Sequence, residues 1–288
     1  MPELAQAVAP ETTTQETGTE RFFVRFTRQQ RYMHAVLFTT FLGLAGTGLP
    51  LRFSDSVWAR GMAGAVGGFG AILFCHKFCA IALSIAFAIH VKEIFTRGLY
   101  RREKGIFWGA TSMVGNWKDV KDLFAHMRWF LGLGPKPQFE RYAYWEKFDY
   151  WAVFWGMIVI GFSGYAMWFA PFFARFLPGW ALNAALVIHS EEGLLAILFI
   201  FSIHFVNTHL RPDSFPMDMV IFTGVESEKE FEHKRPQEYA RMVREGKLEG
   251  RLGEAPATWF VRFARVVGFT AIFIGVTLLI LTLTAYFD

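Results

Sequence analysis

Five histidines lie within long apolar runs of the sequence: His34, His76, His90, His189 and His204. An ionisable side chain inside a membrane span is costly, so each of them is a candidate functional residue. Fourteen residues separate His76 from His90, and fifteen separate His189 from His204. On an α-helix these steps rise about 21–23 Å and return broadly to the same face. Imidazole pairs placed in this way are the axial ligands that haem iron takes.

The direction in which each apolar segment crosses the membrane predicts which histidines lie at the same depth. Segments 67–95 and 180–206 run the same way across the bilayer, so His76 and His189 form an outer pair. Two facing helices of this kind would hold two bis-imidazole sites stacked across the membrane.

The inner site includes His204, and its partner is either His34 or His90. A third haem that uses His34 or His209 stays open, as does a hydrogen bond from the unused histidine to a quinone. Ordinary core histidines, bonded between helices, are the structural alternative. Five intramembrane histidines at matched depths disfavour it.

The elements that must position these residues follow from composition. Of 288 residues, 53% are hydrophobic and 19% charged, whereas an ordinary soluble domain carries about 25% charged residues. Five segments reach the roughly 20 apolar residues that a bilayer span needs. They are about 32–51, 67–95, 151–169, 180–206 and 266–287. We expect an all-α integral membrane bundle of five transmembrane helices with a four-helix haem-binding core.

The predicted organisation has four parts. They are a disordered N-terminal tail (1–20), a haem-binding membrane domain (21–224), a cytoplasmic connection (225–258) and a fifth transmembrane helix (259–288). The tail lacks the basic and apolar regions of a signal peptide. An amphipathic helix is expected at 116–131, in the connection between the second and third spans, and a charged helix at 236–247. His126 and His233 are expected to be surface residues of these connections.

Charge predicts the orientation. The formal net charge is +4, but its placement matters more than its sum, and we expect no nucleic-acid partner. Most Lys and Arg lie before the first span or in the connections that follow the second and fourth spans. Only Arg52, Arg60 and Arg175 lie on the opposite side. The positive-inside rule predicts a bacterial inner-membrane protein with a cytoplasmic N-terminus and a periplasmic C-terminus.

The two cysteines, Cys75 and Cys79, form no disulfide framework. The sequence has no Cys-x-x-Cys-His motif, so the haem expected is b-type rather than covalently attached.

Two of the apolar segments resemble a known family. The first contains His34-x(7)-Leu42-x(3)-Gly46-Thr47-Gly48, and the fourth runs from Phe176-Leu177-Pro178 through both of its histidines. These motifs resemble the first and last haem helices of the cytochrome b subunits of formate dehydrogenase and nickel-iron hydrogenase. The resemblance implies that His34 and His204 hold an inner haem, and that His76 and His189 hold an outer one.

The sequence departs from that family pattern at two places. The step from His189 to His204 is one residue longer than usual, and the family normally lacks His90. The four-histidine pattern resembles instead the cytochrome b of quinol–cytochrome c reductases. Segments 144–156 and 215–218 are similar to bacterial cytochrome b/b6-domain proteins associated with multihaem c-type cytochromes.

The resemblance implies two haem b groups and a mobile quinone. The chain would be the electron-transfer subunit of a quinone-linked oxidoreductase, without catalytic residues of its own. Its redox partner would be a multihaem c-type cytochrome, an iron-sulfur protein or a periplasmic dehydrogenase. Candidate quinone or proton-transfer residues are Asp149, Glu191, Glu192, Asn207, His209 and Arg211.

Two other functions stay open. One is a haem-free transporter or scaffold subunit whose histidines transfer protons or metal ions. The other is a stand-alone transmembrane reductase. Beside the outer site, Lys77 is expected to pair with a haem propionate or with Glu191 or Glu192.

Overall fold

A computed structural model describes residues 20–286 of the chain, and it is helical over most of that length. The helices in chain order are α1 (Arg28–Arg52), α2 (Val57–Val66), α3 (Phe69–Phe95), α4 (Trp117–Phe130), α5 (Tyr144–Trp168), α6 (Ala170–Phe173), α7 (Gly179–Phe199), α8 (Val220–Thr223), α9 (Glu228–Lys234), α10 (Pro236–Arg244) and α11 (Thr258–Thr284). Residues 1–19 of the predicted tail lie outside the described residues. The last two residues of the predicted fifth transmembrane helix (259–288) lie outside them as well.

Five of these helices are long and apolar enough to cross a bilayer: α1, α3, α5, α7 and α11. The chain is therefore an all-α, multi-pass membrane protein, as the sequence predicts. Helix α3 continues through a π-helical turn at Thr96–Tyr100, and α7 through two such turns at Ile200–His204 and Val206–Leu210. Only 11–22% of each apolar window is fully buried inside the protein, which suits helices surrounded by lipid.

Two of the long helices begin earlier than their apolar windows. In α1, Thr27 caps the helix and forms a capping box with Gln30, so the helix starts at Arg28. In α5, the Glu146 carboxylate accepts a hydrogen bond from the Ala143 amide at 2.8 Å. This closes the first turn ahead of the apolar run.

The four central helices form two antiparallel pairs. Helix α1 packs along α3, and α5 packs along α7, whereas few contacts join one pair to the other. Gly43 permits α1 and α3 to approach closely, since a Cβ at this position would lie 2.6 Å from Cys79 Sγ. The predicted four-helix core is thus two helix pairs facing each other.

Helix α11 packs on the outside of this core. It contacts α1 and the first π-helical turn that follows α7. A Cβ on Gly275 would lie 2.7 Å from the rings of both Phe201 and Phe205. The fifth span therefore supports the α7 end of the core and contributes none of the five histidines.

The segment before α1 folds together with the connection after α7, which an all-α prediction does not anticipate. Strand β1 (Phe22–Val24) lies between β2 (Val225–Ser227) and β3 (Leu252–Gly253), antiparallel to both. The predicted cytoplasmic connection is thus a folded unit that shares a sheet with the start of the membrane domain. We call residues 20–27, 101–143 and 211–257 the end module.

A buried ionic cluster holds the end module together. Glu238 is 1% exposed and lies among three guanidinium groups, those of Arg25, Arg141 and Arg235, at 3.7, 3.0 and 3.4 Å. Burial alone would raise the pKa of Glu238, but the three arginines hold it below its ordinary value. These contacts place the segment before α1, the connection after α3 and the connection after α7 on the same side of the helix bundle.

Helix α4 confirms the predicted amphipathic helix and corrects the expectation for one of its residues. Asn116 caps it and forms a capping box with Asp119. His126 is not a surface residue, since it is 4% exposed. Its ring stacks on Phe130 at 4.6 Å between ring centres and shares a 3.1 Å hydrogen bond with the Tyr144 hydroxyl. Trp129 and Phe130 of α4 and the later residues Phe139, Tyr144 and Trp145 surround it.

Candidate functional site

The outer histidine pair lies across the gap between the two helix pairs. His76 on α3 and His189 on α7 have ring centres 6.1 Å apart, with ring planes at 76°. Two metal–nitrogen bonds of about 2 Å, plus about 1.1 Å from each nitrogen to its ring centre, give about 6 Å. The separation therefore fits two imidazoles bound to opposite faces of one iron.

Hydrogen bonds at this pair select the nitrogen that can bind a metal. His189 Nδ1 donates to the Ile160 carbonyl at 2.9 Å. The Thr47 hydroxyl donates to the Gly43 carbonyl, and so it accepts from His76 Nδ1, also at 2.9 Å. Both rings therefore carry their proton on Nδ1 and keep the Nε2 lone pair free, the arrangement typical of metal-binding histidine.

Glycines form the surfaces on which these rings lie. A Cβ on Gly48 of α1 would be 3.2 Å from His76 Cε1, and one on Gly164 of α5 would be 2.8 Å from His189 Cε1. Each imidazole thus packs against bare backbone of the neighbouring helix. These two glycines orient the rings and leave no room for a side chain.

The inner site is built around His204. Its Nδ1 donates to Asp149 Oδ2 of α5 at 2.9 Å, which again leaves Nε2 free. His34 of α1 is close enough to His204 and His209 to interact electrostatically with both. The structure therefore places His34 near two histidines, His204 and His209, and the family resemblance implies that His204 is its partner.

A π-helical turn explains the long spacing on this helix. His204 ends the turn Ile200–His204. A π turn takes up one residue more than an α turn. The fifteen-residue step from His189 therefore advances the helix about as far as fourteen α-helical residues. Such turns are rare and frequently lie at functional sites.

His90 does not join the inner pair. Its Nε2 shares a 3.0 Å hydrogen bond with the Tyr150 hydroxyl of α5, and its ring packs against Phe154. Helix α5 thus directs two successive residues to different partners: Asp149 contacts His204, and Tyr150 contacts His90. These contacts favour His34 over His90 as the partner of His204, and that pairing stays a prediction.

One cavity joins both sites. It has a volume of about 2690 Å³, is mostly apolar, and is lined by all five predicted ligands and by His209. An ordinary small-molecule pocket has about 300–1,000 Å³, so this space can hold more than one large cofactor. Within residues 20–286, no three or more His, Cys, Asp or Glu side chains form a metal-binding group. A single pair of histidines, such as His76 and His189, is enough for iron whose other ligands come from a porphyrin.

The two candidate carboxylates that follow His189, Glu191 and Glu192, have different partners. Glu191 pairs with Arg52 at 2.8 Å, whereas Glu192 accepts a hydrogen bond from Trp155 Nε1 at 3.2 Å. The Lys77 ammonium lies 4.8 Å from the centre of the Trp168 ring, an aromatic contact that the sequence did not indicate.

The remaining predicted residues lie at the inner end. Asn207 and His209 belong to the π turn Val206–Leu210 and line the cavity. His209 Nδ1 is buried and has no hydrogen-bond partner within the described part of the chain. Arg211 lies over the Trp145 ring at 4.4 Å and pairs with Asp213 at 3.5 Å. These contacts anchor the end of the fourth span.

Sequence reasoning missed the partners of the histidines. Thr47 lies in the family-like motif without an assigned role, and no motif includes Gly164. Asp149 was a candidate proton-transfer residue, whereas the structure makes it the partner of His204. The helical spacing of Asp149 and Tyr150 gives no signal for these contacts, since their partners lie on other helices.

Comparison with models of protein families finds no match to this chain, and comparison with curated proteins finds none either. The functional argument therefore depends on the geometry of the site.

Proposed function

We propose that the chain is a membrane-integral cytochrome b subunit that binds two haem b groups and carries electrons across the membrane. The observation that supports this most strongly is the His76–His189 pair: two rings 6.1 Å apart, both with Nδ1 bonded and Nε2 free. His34 and His204 would hold the second group. Bound haem supplies one-electron redox chemistry.

The residues around the ligands fix their orientation and protonation. Thr47 and the Ile160 carbonyl hold the Nδ1 protons of the outer rings, and Asp149 holds that of His204. Such partners orient ligating histidines and raise their basicity. The lining of the cavity between the helix pairs is mostly apolar.

The mobile partner that we propose is a quinone. Quinone chemistry exchanges protons with electrons, and it needs hydrogen-bonding groups beside the cavity. His90 and Tyr150 are the polar pair in the inner half that the inner ligands leave unused. We place the quinone headgroup beside them. The docked partner would be a c-type cytochrome, an iron-sulfur protein or a periplasmic dehydrogenase.

We also propose a bacterial inner membrane as the location, with a cytoplasmic N-terminus and a periplasmic C-terminus. The end module carries most of the Lys and Arg residues, and contacts between its three segments support one common side for all of them. The positive-inside rule makes that side cytoplasmic.

Haem content in purified variants tests the assignment. We expect His76→Ala and His189→Ala each to lower the haem-to-protein ratio from two to one, with the remaining haem low-spin. His90→Ala is the matched control and should keep both haems while it weakens quinol oxidation. Unchanged haem content in the first two variants would refute the outer site. A colourless native protein would favour the haem-free transporter.

Co-purification distinguishes a subunit from a stand-alone reductase. Native membranes solubilised gently should yield the chain with a redox-active partner, and the separated chain should no longer pass electrons from quinol to an external acceptor. Full activity of the separated chain would support the reductase instead.

A further inference from the structure

Helix α4 has its polar and apolar faces reversed relative to a helix on a water-soluble protein. Its outward face consists of Trp117, Val120, Leu123, Phe124, Met127 and Phe130, all exposed. The largest of these side chains, Trp117, Phe124 and Phe130, are 70%, 60% and 71% exposed. Its acidic residues Asp119 and Asp122 face the protein and are 14% and 15% exposed. A surface helix in water shows the opposite distribution.

Three contacts fix the level of α4 along the bundle. Lys147 Nζ of α5 lies 2.9 Å from Asp119 Oδ2, and Tyr144 of α5 bonds His126. In the loop that precedes α4, the Met113 carbonyl accepts from Trp151 Nε1 at 3.0 Å. Helix α4 is therefore level with the first two turns of α5. Those turns carry the aromatic residues that are typical of the membrane–water boundary.

The exposed apolar surface of α4 lies at the same level as exposed aromatic side chains at the start of α5. Phe148 and Trp151 of α5 are 62% and 45% exposed, and aromatic residues at the end of a span are typical of the membrane–water boundary. One edge of the α4 face carries two exposed cations, Lys121 and Arg128. An apolar face bordered by Lys and Arg is typical of helices that lie in the plane of a membrane surface.

We propose that α4 lies in the headgroup–acyl boundary of the leaflet that holds the start of α5. Its apolar face would contact lipid, and Lys121 and Arg128 would reach the phosphate groups. Lys147 joins α4 to the turn of α5 that carries Asp149 and Tyr150. The bilayer surface would thereby hold the end module and this turn of α5 in register. The inference is independent of which cofactor the cavity binds.

Spin-label accessibility in lipid nanodiscs tests the proposal on the full chain. Single labels would be placed through Phe124→Cys or Met127→Cys in a variant whose Cys75 and Cys79 are replaced by alanine. Phe273→Cys of α11, whose native side chain is 72% exposed and does not line the cavity, provides a span control. Lys229→Cys, at an exposed position of α9, provides a water control.

The label at 124 or 127 should resemble the one at 273, being accessible to oxygen and protected from a water-soluble nickel chelate. Its oxygen-to-chelate ratio should match that at 273 and exceed that at 229 several-fold. A ratio equal to that at 229 would show that α4 lies in water, which overturns the proposal. Protection from both reagents would show that protein covers the face, and it would overturn the proposal as well.

Discussion

Asp149 is the residue whose replacement tests the inner site most sharply. Its Oδ2 accepts the proton of His204 Nδ1 at 2.9 Å, and its side chain is 14% exposed. The outer ligands His76 and His189 bond instead to a neutral hydroxyl and a neutral carbonyl. A carboxylate favours the more positive, oxidised state of a nearby iron. Asp149→Asn should therefore raise the reduction potential of the inner haem and leave the outer one nearly unchanged.

The size of the shift follows from the contact. The 2.9 Å hydrogen bond, about 2 Å across the imidazole and about 2 Å of metal–nitrogen bond place the carboxylate about 7 Å from a metal bound at Nε2. One unit charge at that distance, with an effective dielectric constant of about 20, is worth about 2.4 kcal/mol. For a one-electron couple this corresponds to about 100 mV.

The assay is a potentiometric titration of the purified protein, followed in the α-band of each haem. Thr47→Val is the matched control, since it removes a neutral partner at the outer site and should move only that haem, and by less. The reasoning would be refuted if Asp149→Asn left both potentials unchanged, or if it moved the outer haem alone.

Three further changes test the packing and the end module. Gly164→Ala would place a Cβ 2.8 Å from His189 Cε1. It should therefore reduce binding of the outer haem, measured as haem content. Gly161→Ala, whose Cβ meets no described atom within 4 Å, should not. Glu238→Gln removes the carboxylate that Arg141 pairs with and one of the two that Arg25 and Arg235 each pair with, and it should destabilise the end module by about 3–5 kcal/mol in thermal unfolding. The exposed Glu249→Gln should cost about 1 kcal/mol or less, and equal losses would contradict the buried cluster. Burial, with nearby cations, lowers the pKa of His126, so the folded state binds fewer protons than the unfolded chain. The contribution of His126 to the free energy of unfolding should therefore be complete above about pH 6.5 and should decrease as the pH drops below that value. His126→Phe should flatten this pH dependence, and an unchanged pH profile in the variant would contradict the assignment to His126.

Much of the membrane fold could be predicted from the sequence because its signals are local. An apolar run long enough to span a bilayer is visible without knowledge of its neighbours. The depth of His76 and His189 followed from helical rise and chain direction alone, and the structure brings these two residues together.

The end module could not be predicted because its contacts are distant in sequence. Strand β1 has three residues and pairs with strands from the other end of the chain, and so short a strand leaves no alternating pattern. His126 is buried by aromatic residues that fold back over it, which its own helix does not reveal. The π turn before His204 likewise left no sequence signal beyond the additional residue in the spacing.

The partner of His204 in the inner site could not be predicted from the sequence either. Spacing placed His34, His90 and His204 at one depth but could not choose between partners, since helix rotation decides which rings meet. In the structure, Tyr150 bonds His90 and Asp149 bonds His204. Adjacent residues of one helix thus assign different roles to histidines that spacing alone treats alike.

Haem quantification in the purified, unmodified chain, combined with its reduced-minus-oxidised spectrum, tests the central claim most directly. We expect two non-covalent b-type haems per chain, both low-spin with two histidine ligands, at resolvably different potentials. A protein that is purified intact from haem-replete membranes without bound haem would contradict the account, as would one that binds a single haem with His76 and His189 unligated.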